Sequence, residues 1–191
     1  METTNHTQKE LKTESKELGR DLKFYRNACY ILMIVFCVCL LTYLLYIDTC
    51  ESKYFQGGLS YEGPKSLIQL FALFLSGESN LVLEGGQFNR IAFIIGCLFN
   101  TASLGIFSYI SHSLAKIFIG ISKENPAFTL ENASYLKKCS SALYAWGGAY
   151  LIFGLQILVF MLTGIVTSFF YTLSIIFQHG SQLQQQSDET L

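Results

Sequence analysis

Histidine and cysteine are the residue types of this chain best suited to chemistry, and their spacing forms no catalytic or metal-binding pattern. His112 follows an apolar block, where an interfacial or helix-capping role is expected. Cys37 and Cys39 would point to different sides of a helix and make a poor metal pair. The sequence holds neither a phosphate-binding glycine loop nor a metalloprotease helix motif. We therefore expect a protein that is not an enzyme and uses no metal or cofactor.

The hydrophobic residues are concentrated in long uncharged blocks. Of 191 residues, 51% are hydrophobic and only 14% are charged, whereas soluble domains carry about 25% charged residues. The net charge of −1 and the lack of a basic groove argue against nucleic-acid binding. This composition is typical of an integral membrane protein, whose first partner is the lipid bilayer.

The uncharged blocks predict four membrane spans. Residues 28–47 and 91–112 are each long enough to cross a hydrocarbon core of about 30 Å. A third block, Ser140 to Phe177, has no charged residue and is too long for one span. We divide it into spans 140–160 and 164–178, with a turn near Met161 to Ile165, where weak helix formers occur. The predicted fold is all-α: an integral membrane four-helix bundle with a cytoplasmic N-terminal helical extension.

Basic residues set the predicted orientation, because they are enriched on the cytoplasmic side. Six of the 13 Lys and Arg residues precede the first span, three are spread over residues 48–90, and four flank or lie in residues 122–138. We therefore predict that the charged helical arm 1–27, the loop 122–138 and the tail 179–191 are cytoplasmic. Residues 48–90 form the outer loop, and the spans occupy the membrane domain 28–178.

The N-terminal arm carries a sparse apolar stripe at helical spacing, formed by Leu11, Leu18, Leu22 and Tyr25. One interpretation is a solvated helix that extends the first span into the cytoplasm. The other is a short coiled-coil or docking face, which usually needs more heptads than this arm contains.

Small residues recur every four positions on the third and fourth predicted spans, which allows close approach of helix backbones in lipid. They are Ser141, Ala145 and Ala149, followed by Gly164, Ser168 and Thr172. We expect these two stripes to pack the third and fourth helices against each other.

The outer loop contains an apolar segment, Leu67 to Leu75, that is too short to span. It is expected to lie in the interface or to pack over the outer ends of the bundle. Cys50 is the one cysteine in a polar segment that would face an oxidising space. No disulfide within the chain is expected, and a Cys50 bridge between two chains stays open.

Two polar segments carry recognisable motifs. In the loop, Thr129 is a good helix N-cap and Glu131 suits the first turn of the helix that follows. The loop motif consists of Phe128, Thr129, Asn132, Leu136, Lys137 and Lys138. The tail motif consists of Gly180, Leu183, Asp188, Thr190 and Leu191.

Together these motifs resemble the bacterial membrane proteins grouped as domain of unknown function 2975, over about residues 28–191. Three positions depart from the family pattern: Ala127 separates Pro126 from Phe128, Ser140 replaces a usual glycine, and Gln186 replaces a usual glutamate. The resemblance implies a multi-pass protein of the bacterial plasma membrane without an established activity. Genes of the family commonly neighbour a small helix-turn-helix regulator, so the resemblance also implies a cytosolic DNA-binding protein as partner.

Three functions are consistent with these features. The first is a membrane-anchored regulatory or docking protein that acts through the cytoplasmic loop and tail. The second is a small passive transporter or channel subunit, in the form of a homo-oligomer if needed, suggested by the polar residues Asn100, Ser103 and Ser111. The third is an immunity or envelope-stress membrane protein.

Overall fold

The computed structural model describes residues 2–46, 89–123, 126–152 and 157–189. This part of the chain forms four α-helices, which are α1 (Glu2–Leu45), α2 (Arg90–Ser122), α3 (Leu130–Ile152) and α4 (Ile157–Glu189). The predicted all-α class is confirmed. The predicted outer loop, with Cys50 and the segment 67–75, lies outside the described residues except for its last two positions.

The polar arm and the first apolar block form a single helix, because α1 continues from Glu2 to Leu45 without a break. Within the arm, Ser15 and Gly19 are buried and Arg26 is half-buried. Three residues of the predicted apolar stripe are instead exposed, namely Leu11, Leu18 and Tyr25. The arm therefore packs through a small and polar face that lies beside the predicted stripe.

Residues 29–105 form one compact unit, in which the apolar part of α1 pairs with the first part of α2. The rings of Tyr43 and Phe93 meet edge to face, with centroids 4.8 Å apart. Further along, the sulfur of Met33 lies 3.8 Å from the position that a Cβ would take at Gly105. Since the later residue of α1 meets the earlier residue of α2, the two segments run antiparallel.

Residues 1–28 and 106–191 form the other compact unit. Its core includes a cluster of the buried side chains of Ile110, Cys139 and Leu143, against which Ile106, Leu114 and Phe170 pack. Helices α3 and α4 form an antiparallel hairpin. At one crossing the Ser140 hydroxyl donates a hydrogen bond of 3.1 Å to the carbonyl oxygen of Thr167.

The predicted turn at Met161 to Ile165 is wrong, because α4 runs through these positions from Ile157 to Glu189. Thr163 and Gly164 are weak helix formers, but helix packing outweighs that propensity. Thr163 Cβ lies 3.1 Å from the Cβ position of Gly147, which ties this part of α4 to α3. Helix α3 ends at Ile152 and α4 begins at Ile157, so both bounds come earlier in the chain than the sequence predicted.

The predicted small-residue stripes do not form the packing faces of this hairpin. Ser141 and Ala145 of α3 are exposed, as are Gly164, Ser168 and Thr172 of α4. The buried faces lie one or two positions away, at Ser140, Leu143 and Gly147 on α3 and at Thr163 on α4. Small residues do pack between α3 and α4, as the contact of Gly147 with Thr163 shows. The prediction placed this packing on the wrong sides of both helices.

Three helices of the described part are long and apolar enough to cross a membrane: Glu10–Leu45, Arg90–Ser122 and Phe160–Ser187. Large apolar side chains along them are open to the surroundings, such as Ile34 at 64% and Ile165 at 68% exposure. Soluble monomers rarely expose contiguous apolar surface on this scale. These faces therefore need lipid or another protein to cover them.

Candidate functional site

The loop motif begins with a helix cap. The backbone N–H of Asn132 donates to Thr129 Oγ1 at 3.0 Å, and the Asn132 side-chain amide donates to the Ala127 carbonyl oxygen at 2.9 Å. The first bond satisfies an N–H of the first turn of α3 that has no partner within the helix. The predicted N-cap at Thr129 is confirmed, and the second bond fixes the turn that carries Phe128.

Phe128 brings the loop motif and the tail motif together. Its ring meets Phe177 of α4 edge to face, with centroids 5.1 Å apart. A Cβ added at Gly180 would lie 2.7 Å from Cγ and Cδ1 of Phe128. The ring therefore lies directly on the backbone of α4, and only glycine leaves it room. The two motifs, far apart in the sequence, form one structural feature.

The other motif residues divide into buried and exposed groups. Leu136 is buried, whereas Lys137 and Lys138 are exposed on α3. Leu183 is 66% exposed on α4. Asp188 belongs to α4, and Thr190 lies outside the described residues. We use the name loop–tail surface for the exposed residues of 126–138 and 177–189.

A second feature, which the sequence did not predict, is the crossing of the N-terminal arm with the end of α2. Ile119 Cγ1 lies only 2.7 Å from the Cβ position of Gly19, so the backbone of α1 approaches α2 closely at this glycine. Two helical turns further along α1, Arg26 Nη1 lies 3.0 Å from Nδ1 of His112. Gly19 and Arg26 share one face of α1, and Ile119 and His112 share one face of α2. This common two-turn spacing is the signal in the sequence by which the crossing could have been found.

The Arg26–His112 contact defines the state of the imidazole. Arginine has only donors, so Nδ1 of His112 must accept the hydrogen bond and carry no proton. The neutral ring then holds its proton on Nε2. Arg26 also donates from Nε and Nη2 to the Asn27 side-chain oxygen, at 3.2 and 2.9 Å. The guanidinium is therefore held from two sides.

Around this crossing lies a cavity of about 470 Å³. Its lining comes from α1, from the last three turns of α2 and from the residue after α2, and comprises Lys23, Arg26, His112, Ala115, Lys116, Ile119, Gly120 and Lys123. Among the described residues, the lining includes four basic side chains and no acidic one. In the sequence these cations predicted the orientation of the spans, but not that they line one cavity.

The lining residue Lys116 is also held by α3. Its Nζ lies 5.3 Å from the centre of the Tyr135 ring and 3.5 Å from the Tyr135 hydroxyl oxygen. That hydroxyl donates to a carboxylate oxygen of Glu131 at 2.9 Å. The Glu131 carboxylate thus acts on Lys116 through Tyr135 and does not enter the cavity lining.

Within the described ranges, no group of three or more His, Cys, Asp or Glu side chains lies close enough to hold a metal ion. The cysteines of these ranges are all free thiols, at positions 29, 37, 39, 97 and 139. Two features of the described ranges are candidates for function, namely the loop–tail surface and the basic cavity.

The fold defines the class of an α-helical chain in which three of the described helices are able to cross a membrane. The arm, the loop 126–129 and the end of α4 all belong to one compact unit. Comparison with protein-family models, with curated proteins and with solved structures gave no match. The resemblance to the bacterial family named above is neither supported nor contradicted by these comparisons and stays a prediction.

Proposed function

We propose that this chain is a multi-pass protein of the bacterial plasma membrane that docks a cytosolic protein on its loop–tail surface. The observation that supports the proposal is the contact of Phe128 with Gly180 and Phe177. This contact joins the loop and the end of α4 into one surface that a single partner can bind. The role is binding, without a reaction of its own.

The chemistry of the loop–tail surface suits a protein partner. Phe128, Leu130 and Leu183 expose apolar area on the two segments that the Phe128 contact joins. Lys137 and Lys138 add exposed positive charge on α3. Apolar anchors within a charged rim are typical of protein interfaces. We infer an acidic partner surface with an apolar centre, and the family resemblance makes a helix-turn-helix regulator the first candidate.

The contacts also support placing the arm, the loop and the tail on one side of the membrane. The arm meets the last part of α2 through Arg26 and His112. The loop that follows α2 meets the end of α4 through Phe128 and Gly180. Because the basic residues are concentrated in the arm and around the loop, we infer that this side is the cytoplasm.

Site-specific photocrosslinking in living cells tests the docking role. A photoreactive amino acid is placed at Lys137, at Leu183 or, as the control, at Tyr144, which lies two turns from Lys137 on the same face of α3 and is 70% exposed. We expect one cytosolic protein to crosslink at Lys137 and at Leu183 but not at Tyr144. The substitution Leu183→Asp should abolish the product at Lys137. Equal crosslinking at all three positions, or none at the first two, contradicts the proposal.

A second function, a small passive pore, is favoured by one observation. The hydroxyl oxygens of Ser108 and Thr167 are buried and have no hydrogen-bond partner among the described residues. Buried hydroxyls of this kind commonly bind internal water. A pore predicts that purified protein in liposomes releases a small solute faster than protein-free liposomes do. Equal release rates would remove this function.

A further inference from the structure

The basic cavity at the crossing of α1 and α2 concentrates positive charge, and among the described residues no carboxylate belongs to its lining. Lys23 and Arg26 enter from α1, Lys116 enters from α2, and Lys123 directly follows α2. Lys23 and Lys123 are exposed, so their ammonium groups are free to turn toward a ligand, whereas the exposed Lys116 is held beside Tyr135. Like charges in proximity repel one another, and an anion between them removes that repulsion. The cavity is therefore built for an anionic ligand.

The donors in the cavity fit a phosphate group in particular. The bonds of Arg26 to His112 and Asn27 fix the guanidinium plane and leave one N–H on each terminal nitrogen. Two such N–H groups form the fork that binds two oxygens of a phosphate. His112 lines the same cavity, and its Nε2 carries the proton of the neutral ring, which adds a neutral donor. The lysines supply the charge.

The position of the cavity along α1 indicates which kind of molecule carries the phosphate group. Arg26 is the last charged residue before the apolar stretch 28–45. Phe24 and Tyr25, next to it, expose their rings at 71% and 61%, and exposed aromatic rings beside basic residues are typical of the membrane–water interface. Ala115, Ile119 and Gly120 give the cavity a small and apolar side. A ligand with a phosphate head group and an apolar body fits this cavity, because the head group meets the basic side chains and the body meets the apolar side.

We propose that this cavity binds the phosphate group of an anionic phospholipid. Basic cavities at the cytoplasmic ends of membrane helices are suited to anionic lipid head groups. The bound head group joins α1 to α2 at the place where Gly19 lets them approach. This inference rests on the membrane placement in the proposed function but is independent of docking at the loop–tail surface.

Native mass spectrometry of the full chain in detergent tests the site. Delipidated protein is titrated with phosphatidylglycerol, with zwitterionic phosphatidylcholine of the same acyl chains, and with inorganic phosphate. The variant is Lys116→Gln with Lys123→Gln, and the matched control is Lys137→Gln with Lys138→Gln, which removes the same charge outside the cavity. Lys123→Gln alone serves if the double variant does not fold.

We expect wild type and control to bind phosphatidylglycerol more tightly than phosphatidylcholine. The cavity variant should lose about fivefold in affinity for each cation removed, or about 25-fold in total. Arg26→Lys should weaken binding although it keeps the charge, because the fork is lost. Equal losses in variant and control, or no preference for the anionic lipid, overturn the proposal.

Inorganic phosphate distinguishes the lipid from a soluble source. The proposal expects phosphate to compete only weakly with phosphatidylglycerol, since the apolar body of the lipid contributes to binding. Tight binding of inorganic phosphate that displaces the lipid overturns the lipid assignment. Crosslinking at Leu183 reports separately on the docking surface. If the wild type shows no preference for phosphatidylglycerol but still crosslinks at Leu183, this inference alone is refuted.

Discussion

Replacing Gly180 with alanine should separate the loop from the end of α4. The new Cβ would lie 2.7 Å from Cγ and Cδ1 of Phe128 and 3.1 Å from its Cβ. Carbon atoms in contact normally lie about 3.5–4.0 Å apart. The Thr129 cap holds the backbone beside Phe128, so the ring must swing outward and leave Phe177.

Two opposing free-energy terms decide the size of this effect. Displacing the ring loses an aromatic pair of about 1 kcal/mol and part of the ring's apolar burial, about 1–2 kcal/mol because Phe128 is already 37% exposed. Alanine gains about 1 kcal/mol over glycine within a helix. We therefore expect Gly180→Ala to lower the free energy of unfolding by about 1–2 kcal/mol.

Gly164 provides the matched control in the same helix, since nothing lies within 4 Å of its Cβ position. Gly164→Ala should be neutral or stabilise by up to about 1 kcal/mol. In a Phe128→Ala background, Gly180→Ala should lose most of its cost, because only the contact with the Cβ of residue 128, at 3.1 Å, remains. Unfolding in detergent, followed by circular dichroism against a denaturant, measures the wild type, the three single variants and the double variant. If Gly180→Ala stabilises the wild type as much as Gly164→Ala does, the ring does not rest on α4 and the reasoning fails.

Three further predictions concern the crossing, the helix cap and the topology. Gly19→Ala should destabilise the fold by about 1–2 kcal/mol through its clash with Ile119, and Ile119→Ala should relieve that cost in the double variant; strictly additive effects in the same unfolding assay contradict the close approach. Thr129→Ala should cost about 1 kcal/mol, whereas Thr129→Ser should retain most of the stability, and equal losses in both variants would mean that the hydroxyl does not cap α3. Cys139 is fully buried and should resist thiol reagents applied from either side. The topology is therefore tested with Ser134→Cys in a cysteine-free background. This cysteine should react with an impermeant maleimide only after the cells are opened, and a reaction in intact cells would mean that the orientation is the reverse.

The sequence predicted the helices better than it predicted their contacts. Long uncharged stretches and the N-cap at Thr129 are local signals, and the helices follow them. On α3 the sequence predicted packing through Ser141 and Ala145, whereas the buried residues Ser140 and Gly147 lie one and two positions away from them. One residue rotates a helix face by about 100°. In a helix that is apolar all round, no contrast between polar and apolar sides marks the face that packs.

The same reason explains why the basic cavity was not predicted. Arg26 and His112 each look like ordinary flanking residues of an apolar block when they are considered alone. Their contact depends on the antiparallel register of α1 and α2, which Gly19 permits by leaving room for Ile119. A missing side chain gives no hydrophobic signal in the sequence. The structure was needed to show which glycine matters and what it faces.

The two residues that meet at the crossing of α1 and α2 are synthesised at different times. Arg26 and His112 are 86 residues apart in the chain, and synthesis at about 5–20 residues per second separates their appearance by about 4–17 s. During this interval the arm has been translated but its partner has not. The arm is therefore open to other molecules early in synthesis, and its docking onto α2 is a late step that follows the synthesis of α2.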